Sequence, residues 1–209
     1  MKYTFFILII ASSLLRAQHL VPFASHDNII ELAVMNSSNG SAGQVIVEVR
    51  DVPQWLRFTS SREIIHSISP NGSANARFNF SVDRSAPVGT IHKVRFFVRS
   101  SDGELWTKEI ELRVAAPQTF EVFQNFPNPF NPVTTISYLL PAESNTTVTI
   151  FDLLGKEIAI LYNGEESAGY HRHLWNASTS ASGVYIYQIA FTEQQGKTIF
   201  VRKKMMLTK

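Results

Sequence analysis

The sequence of 209 residues contains no cysteine. It therefore forms no disulfides, and it offers neither a thiolate nucleophile nor cysteine ligands for zinc. The class of lipoproteins anchored through a modified cysteine is excluded as well. A chain of this composition must draw its stability from its apolar core alone.

Charge of either sign is also scarce. The 19 Lys and Arg residues against 17 Asp and Glu leave a net charge of +2, too little to indicate nucleic-acid binding unless basic residues cluster on one face. The composition, 44% hydrophobic and 17% charged, is typical of a globular protein rather than a disordered one. We expect no nucleic-acid partner.

Long apolar runs are limited to the N-terminus, where "FFILIIASSLL" (residues 5–15) follows Lys2. This run is too short to be a stable membrane span and has the length of a signal-peptide core. Ala17 is the small residue expected before a cleavage site, which places the cut between Ala17 and Gln18. We expect residues 1–17 to be a signal peptide and the mature chain to be exported; a retained N-terminal membrane anchor is the alternative.

Alternation of apolar and polar residues dominates residues 29–114. The stretch "ARFNFSVD" (residues 76–83) places four apolar side chains on one face of a strand. Residues 92–114 indicate a hairpin that turns at an Asp-Gly pair. Several short strands at this spacing predict an immunoglobulin-like sandwich over residues 18–116.

A second β series fills residues 117–209, after a break at residues 114–119 that is typical of a linker. Its strands are separated by turns such as "DLLG", in which Gly155 can adopt positive φ. We therefore predict an all-β protein with two tandem immunoglobulin-like β-sandwiches after a cleaved signal peptide.

The second series is preceded by three closely spaced prolines in "FPNPFNP" (residues 126–132). Each proline fixes φ and removes a backbone donor, so the segment is neither helix nor central strand. It is expected to be extended or a string of turns that joins no ladder. A plain domain boundary or edge-strand start explains the prolines equally well.

Five motifs occur in order from residue 123 to residue 209: "FQNFPNPFNPVTTISYLLP", "VTIFDLLGKEIAIL", "SAGYHRHLWN", "SASGVYIYQI" and "KKMMLTK". In this order they resemble the type A C-terminal sorting domain of the type IX secretion system. They also resemble the immunoglobulin-like domain of flagellar hook-capping proteins. The first resemblance is favoured because a signal-peptide pattern stands at the other end of the chain.

The resemblance implies a bacterial protein that folds in the periplasm and then crosses the outer membrane. Its partners would be the outer-membrane type IX translocon and a sortase-like processing protease, and its destination the medium or the outer-membrane surface. The prolines would hold the first strand extended and unpaired, and the last strand would display a basic tip toward the translocon or lipopolysaccharide. The residues assigned to the sorting motif are Pro127, Asn128, Pro129, Asn131, Pro132, Gly155, Gly169, Gly183, Tyr185, Lys204, Met205, Leu207 and Lys209.

Catalytic chemistry has little support in the sequence. His171 and His173 are two residues apart on a predicted strand and could share a metal, but the sequence places no third ligand beside them. No Gly-x-Ser-x-Gly elbow is present, and the carboxylates of residues 18–116 are scattered. We expect neither an enzyme nor a cofactor.

Phe97 and Trp55 are the candidate ligand contacts of the first module, because aromatic rings can stack on sugar rings. The leading hypothesis is a small non-catalytic binding module carried by a sorting domain. The rival is a carbohydrate-binding accessory module or the tail remnant of a larger secreted hydrolase.

Overall fold

The computed structural model describes residues 18–192 and 196–209. All regular elements within these ranges are β-strands, which confirms the predicted all-β class. The predicted signal peptide, residues 1–17, lies outside the described residues, so cleavage after Ala17 stays a prediction. No helix in the described part of the chain is long and apolar enough to cross a membrane.

The chain divides between Ala115 and Ala116 into two compact units. We call residues 18–115 the first unit and residues 116–209 the second unit. Each unit has an apolar core of its own. That the two units fold independently stays a prediction.

The first unit is a sandwich of two sheets. Its described strands are β1 (Gln18–Val21), β2 (Asn28–Met35), β3 (Val45–Arg50), β4 (Leu56–Phe58), β5 (Arg62–Ile65), β6 (Ser73–Val82), β7 (Ile91–Ser100) and β8 (Leu105–Val114). One sheet has the order β1-β8-β7-β3-β5 and the other the order β2-β6-β4.

The core of the first unit lies between these sheets and is built by the alternation seen in the sequence. Every second residue is buried from Ala76 onward in β6 and from Val94 onward in β7, and the rings of Phe78 and Phe96 pack at a centroid distance of 5.1 Å. The first strand, β1, pairs in parallel with β8, where Gln18 is the partner of Glu111. Sequence periodicity does not predict this pairing, because β1 is only four residues long.

The second unit is also a two-sheet sandwich. Its described strands are β9 (Glu121–Val122), β10 (Val133–Leu140), β11 (Ser144–Phe151), β12 (Glu157–Glu166), β13 (Gly169–Asn176), β14 (Gly183–Thr192) and β15 (Thr198–Leu207). The sheets have the orders β13-β10-β9 and β12-β11-β14-β15. The last strand, β15, thus forms an edge of the four-stranded sheet.

Candidate functional site

The proline-rich segment lies between β9 and β10 and is pinned at two points. Phe126 exchanges two backbone hydrogen bonds with Thr135 of β10, at 3.0 and 2.9 Å. Phe130 donates to the carbonyl of Met206 at 2.9 Å and accepts from Thr208 at 3.0 Å. The segment therefore bonds to both sheets of the second unit.

This geometry agrees with the expected string of turns and corrects the expectation that the segment stays unpaired. The chain bends at residues 127–129 and 131–132, with cis peptide bonds before Pro127 and Pro129. The prolines carry no N–H, but Phe126 and Phe130 between and beside them keep theirs. These two residues make the bridges that the proline count alone argued against.

Two asparagine side chains, one buried and one exposed, hold the bends of the proline-rich segment in place. The Asn125 amide, which is buried, donates to the Pro127 carbonyl at 3.1 Å and to Thr134 Oγ1 at 2.9 Å. On the exposed side, Asn128 Oδ1 accepts from the backbone N–H of Met206 at 2.9 Å. The segment is thus tied through side chains as well as backbone to β10 and β15.

Tyr187 of β14 anchors the approach to this segment. Its hydroxyl donates to the Phe123 carbonyl at 2.6 Å and accepts from the Asn125 N–H at 3.2 Å. Burial raises the pKa of Tyr187 to about 12, and the hydrogen bond from Asn125 opposes that shift only in part. Sequence alone does not single out this tyrosine, because nothing local distinguishes it from the neighbouring core positions of β14.

The end of β15 closes the same region. Met205 and Leu207 are buried and pair with Tyr185 and Gly183 of β14. Lys204 is exposed, and its carbonyl accepts from the Gln124 side chain at 2.8 Å. The two ends of the second unit therefore meet along one strand.

Of the two lysines in the predicted basic tip, Lys204 and Lys209, the second is bound within the domain. Lys209 Nζ donates to the Ser178 carbonyl at 2.6 Å, and the Lys209 N–H donates to Ser182 Oγ at 3.0 Å. Lys209 thus ties the end of the chain to the loop before β14, although it remains exposed. Lys204 is the better candidate for a charge that another protein reads.

The remaining residues of the predicted motif occupy turns and strand ends. Gly155 has φ +82° in the β11–β12 turn, where a side chain would be strained, and Asp152 Oδ1 accepts there from the N–H groups of residues 154 and 156. Pro132 accepts a hydrogen bond from Ala177 at 2.9 Å, and Asn131 is exposed. Gly169 begins β13 opposite Leu140.

A buried polar cluster lies inside the second unit, under the sheet β13-β10-β9. Glu166 Oε2 accepts from the hydroxyl of Tyr138 at 2.5 Å. Glu166 Oε1 lies 3.2 Å from His171 Nδ1 and 3.1 Å from His173 Nε2. The sequence places no carboxylate beside these histidines, but the fold brings one there from the last residue of β12. No local sequence pattern predicts this contact.

The contacts of both His171 ring nitrogens favour its protonated form. Its Nε2 lies 2.8 Å from the Ser167 carbonyl, which can only accept, while its Nδ1 faces the carboxylate of Glu166. Both ring nitrogens therefore face acceptors, and only the imidazolium form, present below the pKa of His171, donates to both. Burial lowers the pKa of His171, but the hydrogen bonds to Glu166 and Ser167 outweigh it, and the pKa is raised.

The same contacts shift the pKa values of Glu166 and Tyr138. Burial by itself raises the pKa of Glu166, but the hydrogen bonds from His171, His173 and Tyr138 outweigh it and lower the pKa to about 2. Burial, and then the hydrogen bond to Glu166, raise the pKa of Tyr138. Within the described ranges no group of three or more His, Asp and Glu side chains is arranged to hold a metal ion. The cluster is a buried hydrogen-bonded ion pair.

The two aromatic candidates of the first unit have different surroundings. Trp55 is buried, with 8% of its surface exposed, and its ring packs edge-on against His92 at 4.8 Å. The expectation of a ligand contact at Trp55 is therefore corrected, because the core covers its ring. Phe97 is half-buried on the outer face of β7, and the guanidinium of Arg50 lies 5.5 Å from its ring centroid.

Comparison with known proteins identifies the second unit. Residues 124–205 match the model of a family described as the secretion system C-terminal sorting domain. The second unit is a type IX secretion sorting domain. The match includes the proline-rich segment and β15 as far as Met205, and the hydrogen bonds from that segment to the end of β15 begin one residue further on, at Met206.

No curated protein matches the chain, but solved structures resemble it. Dimeric latent PorU from Porphyromonas gingivalis is 14% identical over 98% of this chain, with a TM-score of 0.37, and this chain spans 20% of the length of that protein. The CupB2 chaperone from Pseudomonas aeruginosa is 14% identical, with 90% of this chain and 98% of the chaperone covered and a TM-score of 0.28. The assignment depends on the family match and not on these likenesses.

The sorting domain indicates where the chain goes. It marks an exported protein that the type IX machinery recognises and secretes across the outer membrane. The destination is the cell surface or the extracellular space.

Proposed function

We propose that this chain is a small non-catalytic binding protein, in which the sorting domain carries the immunoglobulin-like first unit out of the cell. A signal peptide at residues 1–17 would take the chain to the periplasm. There the folded sorting domain would be recognised by the outer-membrane translocon and processed by a sortase-like protease. The first unit would then act as the binding module at the cell surface or in the medium.

The bonding of the proline-rich segment to β15 is the observation that carries this proposal. Phe130 and Asn128 bond to Met206, one residue past the end of the family match, so the proline-rich segment and the end of β15 form one folded surface. A signal of this kind exists only in the folded domain, which suits a protein that folds before it crosses the outer membrane. Type A membership and the hook-capping likeness remain part of the proposal.

The direct test is deletion of residues 204–209, measured as the fraction of protein outside the outer membrane. The deletion removes Met205 and Leu207 from the core, a loss of about 3–6 kcal/mol, together with the partners of Phe130. We expect the protein to stay in the periplasm. Normal secretion of the deletion variant would end the sorting-signal proposal for this chain.

A variant that folds separates recognition from stability. Lys204→Gln removes an exposed charge and no buried contact, so thermal unfolding should be unchanged. A lower secreted fraction for this variant would show that the translocon reads the charge. Unchanged secretion would assign Lys204 a structural role only.

A second candidate function, carbohydrate binding by an accessory module, is favoured by Phe97. Its ring is the accessible one of the two aromatic candidates and lies among charged side chains. Loss of binding to a neutral polysaccharide on Phe97→Ala would support this function. Binding to pullulan, a neutral polysaccharide, measures this function.

A further inference from the structure

One broad face of the first unit carries an excess of positive charge. It is the outer face of the sheet β1-β8-β7-β3-β5, formed by the side chains that alternate with buried ones. Six basic residues share it with three acidic ones, an excess larger than the net charge of +2 of the whole sequence. We call this set the cationic face: Arg50, Arg62, Lys93, Arg95, Arg99 and Arg113, with Glu48, Glu109 and Glu111.

The carboxylates neutralise the cationic face only in part. Glu109 is shared by two cations: Lys93 Nζ lies 2.7 Å from it and Arg95 Nε 3.4 Å. Arg99 forms no ion pair with any carboxylate of the residues that the structure describes. Lys93 and Arg95 remain more than half exposed, so their charges are open to a ligand.

Arg50 occupies a position that costs stability. It stands directly opposite Arg95 in the pairing of β3 with β7, and like charges in such a pair repel each other. Arg50 is held there by Glu48 at 2.5 Å and by the ring of Phe97. An anion beside the two guanidinium groups would remove this repulsion.

The cations on β7 form a row along the outer face of one strand. At about 3.3 Å per residue, Lys93, Arg95 and Arg99 span about 20 Å, which suits a linear polyanion better than a single small ion. We propose that the cationic face binds an acidic polysaccharide, whose carboxylate or sulfate groups pair with this row. The inference depends on the proposed function, because secretion brings the first unit to the outside of the cell, where it can meet such polymers.

The test uses the mature full-length chain and two polysaccharides of similar size. Polygalacturonate carries one carboxylate per sugar, whereas pullulan is neutral. In biolayer interferometry we expect binding to polygalacturonate that weakens as NaCl is raised, and no binding to pullulan. The double variant Arg95→Gln and Arg99→Gln should weaken binding to polygalacturonate by about tenfold.

A matched control removes the same charge from the other sheet. Arg57 and Arg77 are exposed and form surface ion pairs with Asp83 and Glu31. Replacing both by Gln should change the affinity by less than about twofold, since surface charges distant from the ligand are screened. Equal weakening by the two double variants would reduce the effect to net charge and overturn the proposal.

Three other outcomes also overturn the proposal: no binding to polygalacturonate, equal binding to pullulan, or tighter binding to single-stranded DNA or to phosphatidylglycerol vesicles. Secretion distinguishes these failures from failure of the proposed function. Arg95 and Arg99 lie outside the sorting domain, so the double variant should be secreted normally. Lost polysaccharide binding with normal secretion would leave the sorting role intact.

Discussion

The second unit buries more polar side chains than the first unit does. Of the buried polar side chains in the described residues, seven belong to the second unit and three to the first, and Glu166 is the one carboxylate among them. The carboxylates of the first unit that form ion pairs, such as Glu48 and Glu109, lie at its surface. The aromatic residues differ too, since residues 18–115 contain no tyrosine.

This difference fits two different demands. A domain that is recognised as a folded object must hold its segments in one arrangement, and buried polar bonds penalise any other arrangement. A binding module, the role proposed for the first unit, needs a stable apolar core and a surface whose charges can serve a ligand. The variants below test whether the buried polar groups of the second unit make this contribution.

The largest loss of stability is expected from Glu166→Ala. The change leaves the imidazolium of His171 and the hydroxyl of Tyr138 buried without their shared acceptor, which should lower the free energy of unfolding of the second unit by about 3–5 kcal/mol. Urea unfolding, read by hydrogen–deuterium exchange of peptides from each unit, measures the loss. The first unit should be unaffected.

Glu109→Ala is the matched control for Glu166→Ala. Glu109 also contacts two cations, Lys93 and Arg95, but at the surface, where water replaces the lost partner. Its removal should leave unfolding of the first unit almost unchanged. Similar losses for the two variants would contradict the comparison between buried and exposed polar groups.

How far the sequence predicts this molecule depends on the range of each interaction. Strands such as β6, β7 and β10 follow from alternation, because a period of two is a local property of the chain. The turn at Gly155 follows for the same reason. Sequence resemblance, which depends on ordered local motifs, identifies the sorting domain as well.

Long-range contacts could not be predicted in this way. Glu166 reaches Tyr138 from 28 residues away and Tyr187 reaches Phe123 from 64 residues away. Such pairings depend on sheet order, which alternation leaves open. The expectation of an unpaired proline-rich segment failed for a related reason. The prolines have no N–H groups to bond, but Phe126 and Phe130 beside them do.

The second unit should lose stability both at acid pH and at alkaline pH. The pKa of Glu166 falls from 4.5 to about 2 on folding, so its contribution is present above pH 4.5 and is lost as pH drops toward 2. The pKa of His171 is raised above 6.5, so its contribution is present below pH 6.5 and is lost as pH rises through the raised value. The pair should stabilise most between these limits.

His171→Asn tests separately the loss of stability that is expected as pH rises, which we call the alkaline limb; the loss at low pH is the acid limb. The asparagine amide lies near the position of the imidazole Nδ1, so it can still donate a hydrogen bond to Glu166 but cannot ionise. The loss of stability above pH 6.5 should therefore disappear while the loss at acid pH remains. Hydrogen exchange of β10 peptides across the pH range, corrected for intrinsic exchange rates, measures both limbs. An unchanged alkaline limb in this variant would assign the effect to another group.

The smallest effect is expected from Tyr187→Phe, which keeps the ring and removes the hydroxyl. The Phe123 carbonyl and the Asn125 N–H each lose a partner, so the second unit should lose about 1–3 kcal/mol. Tyr185→Phe is the control, because its hydroxyl makes one bond, to the Ala181 carbonyl, and should cost less. Exchange should rise first in the peptide spanning residues 123–130, since Tyr187 is what ties its start to β14. If exchange rises equally over all strands of the second unit, Tyr187 stabilises the core in general and does not position the proline-rich segment.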